Sequence, residues 1–234
     1  MKPKLIYVSD AYCVWCFAFA PSVNAIVSKY GDEIDIEVLS GRMVGGATVG
    51  QFFSRFPSPM ALHHRVEEYS GRQFGSAYIN QLNLGVASTV PMDSEIPARA
   101  MLAMEKCKPG CKLQALQAIH DLFYTGGVDL VDLQTYKPIC ETLGLDFETF
   151  LETYRSTATK DALRQEQQRV ARLGVSGFPS LFLQSPSGEL VALAHGFVPA
   201  SQLRSSFEAA LQSMTTASAQ AVGMVCDPSR PGSC

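Results

Sequence analysis

Near its N-terminus the chain reads KLIYVSDAYCVWC over residues 4–16. The apolar run at residues 4–8 predicts a short buried strand. A loop of four residues follows, and Cys13 then begins a predicted helix. Cys16 lies about one helical turn further on. Two cysteines at the start of a helix that directly follows a strand are typical of a redox-active dithiol.

The residues after this dithiol predict a helix and then a second strand. Apolar side chains recur at spacings of four, three and four between Phe19 and Tyr30, which gives the helix one apolar face. Pro21 should kink this helix and Gly31 should end it. Residues 34–39 are rich in β-branched side chains, which favours a strand. Strand, helix and strand together indicate two parallel strands joined by a right-handed crossover.

A long helical region separates these elements from the rest of the predicted sheet. The apolar period is helical from about residue 51, and residues 43–173 are predicted to form an all-helical insertion. Leu116, Ile119 and Phe123, for example, lie on one helical face. The span contains no strong strand pattern and no internal repeat.

The sheet is predicted to resume after the insertion. Residues 180–184 and 189–194 predict two strands, and the turn between them predicts a hairpin. Pro199 suits the first turn of a last helix. Residues 215–234 are rich in Thr, Ser, Ala, Gly and Pro and predict a flexible tail. The expected fold class is therefore α/β, with an all-helical insertion between the second and third strands.

The position of the dithiol indicates how it reacts. Free N–H groups and the helix dipole favour negative charge at a helix N-terminus, so we expect the pKa of the Cys13 thiol to be lowered. Cys13 would attack a substrate disulfide, and Cys16 would resolve the mixed disulfide. Trp15 lies between the two cysteines, so it should be partly exposed and could contact the substrate.

A second motif, GVSGFP at residues 174–179, directly precedes the third strand. A proline in this position can be cis, and Pro179 offers no N–H toward the dithiol. The backbone of Phe178, with its neighbour Gly177, could pair with an extended substrate. An ordinary trans-proline loop explains the motif in isolation, but the upstream dithiol favours the functional interpretation.

The same cysteine spacing also occurs in zinc sites, which need a second pair of ligands. Cys107 and Cys111 could supply that pair, but they lie in the helical region, far from Cys13 in the predicted pattern. We therefore expect no metal. Cys107 and Cys111 could instead close a small disulfide across the Pro-Gly turn between them.

The order of these motifs resembles the DsbA family. A strand with the dithiol, a helical insertion, a GVxGxP loop, a hairpin and a last helix follow one another over about residues 4–212. The segments at residues 10–16, 97–100 and 177–179 look most like the FrnE-like subgroup of that family. The two active-site motifs carry most of this resemblance.

The resemblance implies a thioredoxin fold at residues 1–42 and 174–214, around the inserted helical domain. It also implies that Cys13 is the nucleophile, Cys16 the resolving thiol and Pro179 a cis proline. The expected activity is thiol–disulfide exchange on proteins or small thiols, with disulfide isomerisation possible. No cofactor is then expected apart from the redox-active disulfide of the chain itself, and glutathione is a possible partner.

One departure from the family concerns the residues between the cysteines. They are Val-Trp, whereas Gly-Trp is usual in the subgroup and Pro-His in the periplasmic oxidases. No imidazolium lies beside Cys13, so we expect less thiolate stabilisation and a more reducing potential. Two other functions stay open: a glutathione-dependent transferase or isomerase similar to the kappa class, which lacks the dithiol, and a non-enzymatic metal-binding protein.

Four further residues have alternative interpretations. Glu37 on the second strand could relay protons to the dithiol, although a solvated strand end explains it as well. Asp10 could bias the dithiol electrostatically or simply form the turn. Cys226 and Cys234 could form an accessory redox pair or stay unpaired in the tail.

Composition excludes several classes of partner. The 234 residues carry 19 basic and 22 acidic side chains with no long basic run, so we expect no nucleic acid. No apolar stretch of 18 residues occurs, so we expect no membrane span. The N-terminus lacks the features of a secretory signal, which favours the cytoplasm, or the periplasm if a signal segment has been removed. The sequence leaves the oligomeric state open.

Overall fold

The computed structural model describes residues 2–222 of the chain. Within this range the strands and helices, numbered in chain order, are β1 (Lys4–Ser9), α1 (Val14–Tyr30), β2 (Asp35–Ser40), β3 (Gly45–Thr48), α2 (Val49–Phe53), α3 (Pro59–Ser70), α4 (Ser76–Asn83), β4 (Pro91–Asp93), α5 (Glu95–Cys107), α6 (Lys112–Tyr124), α7 (Lys137–Leu143), α8 (Phe147–Arg155), α9 (Thr157–Arg172), β5 (Ser180–Gln184), β6 (Leu190–His195) and α10 (Ala200–Val222). Short 3-10 helices lie at Gly85–Ala87 and Leu133–Tyr136.

The main sheet has four strands in the order β2-β1-β5-β6. β1 and β2 run parallel in register, from Lys4 opposite Asp35 to Ser9 opposite Ser40. β5 pairs antiparallel with both β1 and β6. The parallel pair and the hairpin are thus confirmed, and so is the α/β class with a helical insertion between the second and third strands of this sheet.

The insertion also contains a second sheet, which corrects the expectation that it is entirely helical. β3 and β4 pair antiparallel, with Thr48 opposite Pro91 and Gly45 opposite Asp93. β4 has only three residues and β3 is half glycine. Neither segment is long enough for an alternating apolar pattern to stand out, so periodicity could not reveal them.

The helix that follows the dithiol is the buried centre of the fold. Its side chains Phe17, Phe19, Val23 and Ile26 are fully buried. α1 packs against α3 and α6 of the insertion and against α10. Gly31 ends the helix by donating its N–H to the carbonyl of Val27. Burying one such aromatic or aliphatic side chain contributes about 1.5–3 kcal/mol, so α1 is held firmly from several sides.

The last helix is longer than the sequence suggested. α10 continues to Val222, so residues 215–222, which we expected to belong to a flexible tail, are helical. Ala, Ser and Thr are compatible with a helix once its start is anchored. Leu203 and Phe207 provide that anchor, and the Phe207 ring lies 4.8 Å from the ring of Tyr30 on α1.

The described part of the chain has no helix that is both long and apolar enough to cross a bilayer.

Candidate active site

The dithiol lies at the start of α1, directly after the loop that follows β1. Cys13 is the N-cap of the helix, and its backbone N–H donates to the carbonyl of Asp10 at 3.1 Å. The backbone N–H of Cys16 donates to the Sγ of Cys13 at 3.2 Å. Both residues are free thiols, Cys13 is 4% exposed and Cys16 is fully buried. The helix N-terminus therefore points a donor at the first sulfur, as the sequence indicated.

The loop before β5 lies against the same sulfur. The peptide bond between Phe178 and Pro179 is cis. The thiol of Cys13 donates to the carbonyl oxygen of Phe178 at 3.6 Å. On the far side, the carbonyl of Pro179 accepts the backbone N–H of Gly196 at 2.7 Å. Residues that are 165 positions apart in the chain thus meet at one sulfur.

The ring of Phe178 requires a glycine beneath it. A Cβ added to Gly41 would lie 2.2 Å from the Cζ atom of Phe178. Gly41 directly follows β2, and its backbone N–H donates to the carbonyl of Ser9 at 2.7 Å. The glycine therefore lets the loop before β5 approach the end of the parallel strands.

Burial changes the expected chemistry of Cys13. Desolvation raises the pKa of the Cys13 thiol, and the adjacent Cys16 and the charge of Asp10 raise it further. The N–H of Cys16 acts in the opposite direction but does not outweigh them. The expectation of a lowered pKa was therefore wrong, because the sequence indicates the helix N-terminus but not the burial of the sulfur beneath the Phe178 loop.

Asp10 is a buried carboxylate behind the dithiol. It is 1% exposed and accepts three hydrogen bonds, from the N–H of Tyr12 at 3.0 Å, the N–H of Met43 at 2.9 Å and the hydroxyl of Ser94 at 3.0 Å. Burial raises its pKa, and these three donors partly compensate. Asp10 thus joins the dithiol loop to the start of the insertion and also acts electrostatically on Cys13.

Glu37 lies away from this site. Its strand partner is Ile6, whose side chain packs with Val170 of α9. The carboxylate of Glu37 contacts Arg169 at 2.8 Å and Lys4 at 3.6 Å. Because these contacts are on the face of the sheet that packs against α9, opposite α1, the proton-relay interpretation is corrected: Glu37 is an ion-pair residue.

Trp15 lines two cavities. The first, which we call the aromatic pocket, has a volume of about 210 Å³ and includes Cys13, Phe52, Phe53, Phe56 and Phe178 in its lining. The sequence analysis did not single out the three phenylalanines on and after α2. The cluster FFSRF at residues 52–56, next to a glycine-rich segment, was the signal that could have found them.

The second cavity, which we call the Arg65 pocket, also has the Trp15 side chain in its lining. It has a volume of about 260 Å³, and Trp15, Arg65, Tyr69, Gly196 and Phe197 line it. The Trp15 ring is 6.4 Å from the ring of Tyr69 and 5.8 Å from that of Phe197. Trp15 is partly buried, and it touches both cavities.

The other cysteines contribute little to the dithiol site. Cys107, Cys111 and Cys140 are free thiols, and burial raises the pKa of Cys111 to about 11 and that of Cys140 to about 12. Cys226 and Cys234 lie outside the described residues, so the accessory pair stays a prediction. Within residues 2–222, no three His, Cys, Asp or Glu side chains are grouped as a metal site would require.

The dithiol at the start of α1, the cis proline before β5 and the β2-β1-β5-β6 sheet together define a thioredoxin-like protein with a helical insertion. The chain belongs to the DSBA-like thioredoxin domain family, which matches residues 4–212. No curated protein matches the sequence significantly.

Solved structures agree with this assignment. A candidate protein disulfide isomerase from Nitrosomonas europaea superposes with a TM-score of 0.78 at 24% identity, covering 91% of this chain and 99% of that one. The cytosolic disulfide reductase DsbM from Pseudomonas aeruginosa gives a TM-score of 0.72 at 25% identity, covering 89% and 98%. The same reductase with GSH gives a TM-score of 0.70 at 24% identity, covering 89% and 99%.

Proposed function

We propose that this protein is a thiol–disulfide oxidoreductase that works in the reducing direction, with Cys13 and Cys16 as its redox-active pair. The observation that carries the proposal is the surroundings of one sulfur. The N–H of Cys16 at 3.2 Å and the carbonyl of Phe178 at 3.6 Å both contact the Sγ of Cys13. The first contact stabilises a thiolate, and the second places an unpaired backbone segment where an extended substrate would lie.

The proposed reaction has two exchange steps. The Cys13 thiol loses its proton, attacks one sulfur of a substrate disulfide and forms a mixed disulfide, while the other substrate sulfur leaves as a thiolate. Cys16 then loses its proton and attacks the Cys13 sulfur, which forms the Cys13–Cys16 disulfide and releases the second substrate thiolate. Two electrons pass to the substrate, and the two protons of the dithiol end on the two product thiols.

The electrostatics of the site favour reduction of the substrate. Strongly oxidising members of the superfamily stabilise their reduced form through a thiolate of low pKa. Here burial and the nearby Asp10 raise the pKa of Cys13, and no imidazolium lies between the cysteines. The reduced form gains little thiolate stabilisation, so the dithiol should give up its electrons readily.

Glutathione is the proposed small-molecule partner, and the cytoplasm the proposed compartment. A related protein is described as a cytosolic disulfide reductase and has been observed with GSH. In this scheme oxidised glutathione would be a substrate disulfide, which the Cys13–Cys16 dithiol reduces in two exchange steps to two molecules of glutathione. Disulfide isomerisation and membership of the FrnE-like subgroup stay predictions.

Insulin reduction with a thiol donor tests the proposal. We expect Cys13→Ser to abolish turnover and Cys16→Ser to stop it at a trapped mixed disulfide, which mass spectrometry would detect. The Cys13–Cys16 reduction potential should lie below the glutathione potential of the cytosol. Full insulin reduction by both variants would refute the site. Turnover of an electrophile with glutathione that survives Cys16→Ser would instead favour the transferase alternative.

A further inference from the structure

The Arg65 pocket is a second recognition feature at the edge of the dithiol site. Its walls come from three parts of the chain: Trp15 on α1, Arg65 and Tyr69 on α3, and Gly196 with Phe197 after β6. Tyr69 is 60% exposed, which is unusual for a large aromatic side chain. An aromatic cavity with one cation at its rim is a typical arrangement for binding a polar ligand.

Arg65 has a free guanidinium. Within residues 2–222 it makes no ion pair or hydrogen bond, and the exposed Glu68, three residues further along α3, forms no ion pair with it. Glu67, the acid nearest to Arg65 in sequence, is already occupied. The carboxylate of Glu67 lies 3.5 Å from His64 and accepts the backbone N–H of Phe74 at 3.1 Å. α1, which forms the opposite wall through Trp15, contains no acidic residue. The cation at this rim is therefore available to an external anion.

The pocket is continuous with the loop that touches the nucleophile. Gly196 donates its N–H to the carbonyl of Pro179, and the preceding carbonyl, of Phe178, contacts the sulfur of Cys13. Trp15 lines this pocket and the aromatic pocket that contains Cys13. A substrate with its sulfur on Cys13 and its chain across Trp15 would thus bring a neighbouring group to Arg65.

We propose that the Arg65 pocket is a carboxylate subsite that selects thiol and disulfide substrates carrying a negative charge near the reacting cysteine. The proposal rests on the oxidoreductase function and names its substrate class. A planar guanidinium binds a carboxylate through two parallel hydrogen bonds, and aromatic walls reduce the access of water to that pair. The carboxylate can belong to a small thiol peptide such as glutathione or to an acidic residue of a protein substrate.

Binding without exchange tests the subsite directly. Trp15 is the only tryptophan of the chain, so its fluorescence reports on this pocket. S-Methylglutathione, which has no free thiol, should change that fluorescence saturably, and its dimethyl ester should bind about threefold to tenfold more weakly. Arg65→Gln should remove this difference. Arg155→Gln, which changes an exposed arginine that lines neither pocket, should keep it.

A peptide arm distinguishes the two sources of the carboxylate. The peptides would be short and would have Ser in place of the reactive Cys. Each would carry Glu or Gln at one of the two positions before or the two positions after that Ser. A preference for Glu at one position, lost in Arg65→Gln, indicates that protein substrates use the subsite. A preference for S-methylglutathione alone indicates a small thiol. Equal binding of acid and ester in the wild type, together with no preference for Glu, would overturn the proposal.

Turnover separates this proposal from the function on which it rests. Failure to reduce the neutral bis(2-hydroxyethyl) disulfide would refute the oxidoreductase function, and the binding arms would still decide the subsite. Where turnover occurs, the ratio of kcat/KM for oxidised glutathione to that for the neutral disulfide should fall about threefold to tenfold in Arg65→Gln. A ratio equal to that of Arg155→Gln would contradict the proposed selectivity.

Discussion

Two buried carboxylates lie at the same end of the parallel strands, and they have opposite surroundings. Asp10 follows β1 and accepts only from neutral donors, two backbone N–H groups and the hydroxyl of Ser94. Glu166 on α9 accepts the N–H of Ser40, the last residue of β2, at 2.6 Å and forms an ion pair with Lys112. Ser40 itself is paired with Ser9, which precedes Asp10.

The difference shows that the role of a buried carboxylate depends on whether a cation is buried with it. A carboxylate that is buried with a cation is neutralised locally, so Glu166 ties α6 and α9 to the end of β2 and exerts little field elsewhere. A carboxylate that is buried without a cation keeps its field, and Asp10 directs that field at Cys13. We therefore assign stability to the first carboxylate and, to the second, an electrostatic contribution at the thiol that adds to those of burial and Cys16.

Removing the Lys112 ammonium should have the largest effect on the free energy of unfolding. Lys112→Met leaves Glu166 buried without its ion-pair partner, and the free energy of unfolding should fall by about 3–5 kcal/mol. Guanidinium unfolding measures this loss. Lys137→Met, at an exposed lysine, is the matched control and should stay within about 0.5 kcal/mol of the wild type. A loss below about 1 kcal/mol for Lys112→Met would contradict the role given to this pair.

Lowering the pH should reduce the free energy of unfolding through His120, which contacts the backbone of Asp10. This side chain is buried, its Nε2 lies 3.1 Å from the carbonyl oxygen of Asp10, and burial lowers its pKa to about 4. Between about pH 6.5 and pH 4 the unfolded chain binds a proton that the folded chain refuses, so stability falls as the pH falls. The loss attributable to His120 is about 3 kcal/mol at most.

His120→Gln isolates this contribution. The amide of Gln cannot titrate, so the variant should lose less stability than the wild type between pH 6.5 and pH 4, measured by urea unfolding at each pH. His63 stays in both proteins, and burial lowers its pKa too, so it cancels in the comparison. Parallel stability curves for the two proteins would show that His120 is protonated in the folded state.

A substitution at Gly41 tests the contact between the end of β2 and the Phe178 loop that covers the dithiol. Gly41→Ala places a methyl group where the Phe178 ring lies, so the loop must move, at a cost of about 1–3 kcal/mol. Insulin reduction should fall about tenfold, because the Phe178 backbone, which we propose pairs with the extended substrate, moves away from Cys13. Gly45→Ala is the control, since nothing lies within 4 Å of its added Cβ. Equal activity of the two variants would separate the loop from catalysis.

Local patterns explain which parts of this fold the sequence could predict. In the unit from β1 to β2 and in the hairpin of β5 and β6, the residues that form the apolar pattern and those that form the turn lie close together in the sequence. The dithiol is recognisable because both cysteines and the helix start share one short segment. The β3–β4 pair, by contrast, joins two short segments whose residues are more than 40 positions apart.

The missing parts of the site depend on contacts between distant residues. Asp10 meets Met43 and Ser94, which are 33 and 84 positions away, so its burial could not be read from the turn that contains it. Alternation places Glu37 on one face of β2, but it does not say which face packs against α1. The pKa of Cys13 was mispredicted for the same reason, since the covering loop lies 165 positions away.

Replacing Asp10 by Asn is the most selective test of the comparison. Burial and Cys16 raise the pKa of the Cys13 thiol most, and the charge of Asp10 adds to them, so loss of that charge should lower this pKa. The thiolate fraction at neutral pH would rise, but nucleophilicity falls with pKa, so alkylation of Cys13 should accelerate by less than the thiolate fraction grows. Iodoacetamide labelling, read at the Cys13 peptide by mass spectrometry over a range of pH, measures both quantities.

Glu166→Gln is the matched control for that substitution. Each variant exchanges a buried carboxylate for an amide that must face one former donor, Met43 N–H in one case and the Lys112 ammonium in the other, so both should lose stability. The free energy of unfolding therefore cannot distinguish the two carboxylates, whereas the pH profile of Cys13 labelling can. If Glu166→Gln shifts the labelling pH profile of Cys13 as much as Asp10→Asn does, the field at the sulfur is a property of the whole strand end and not of Asp10.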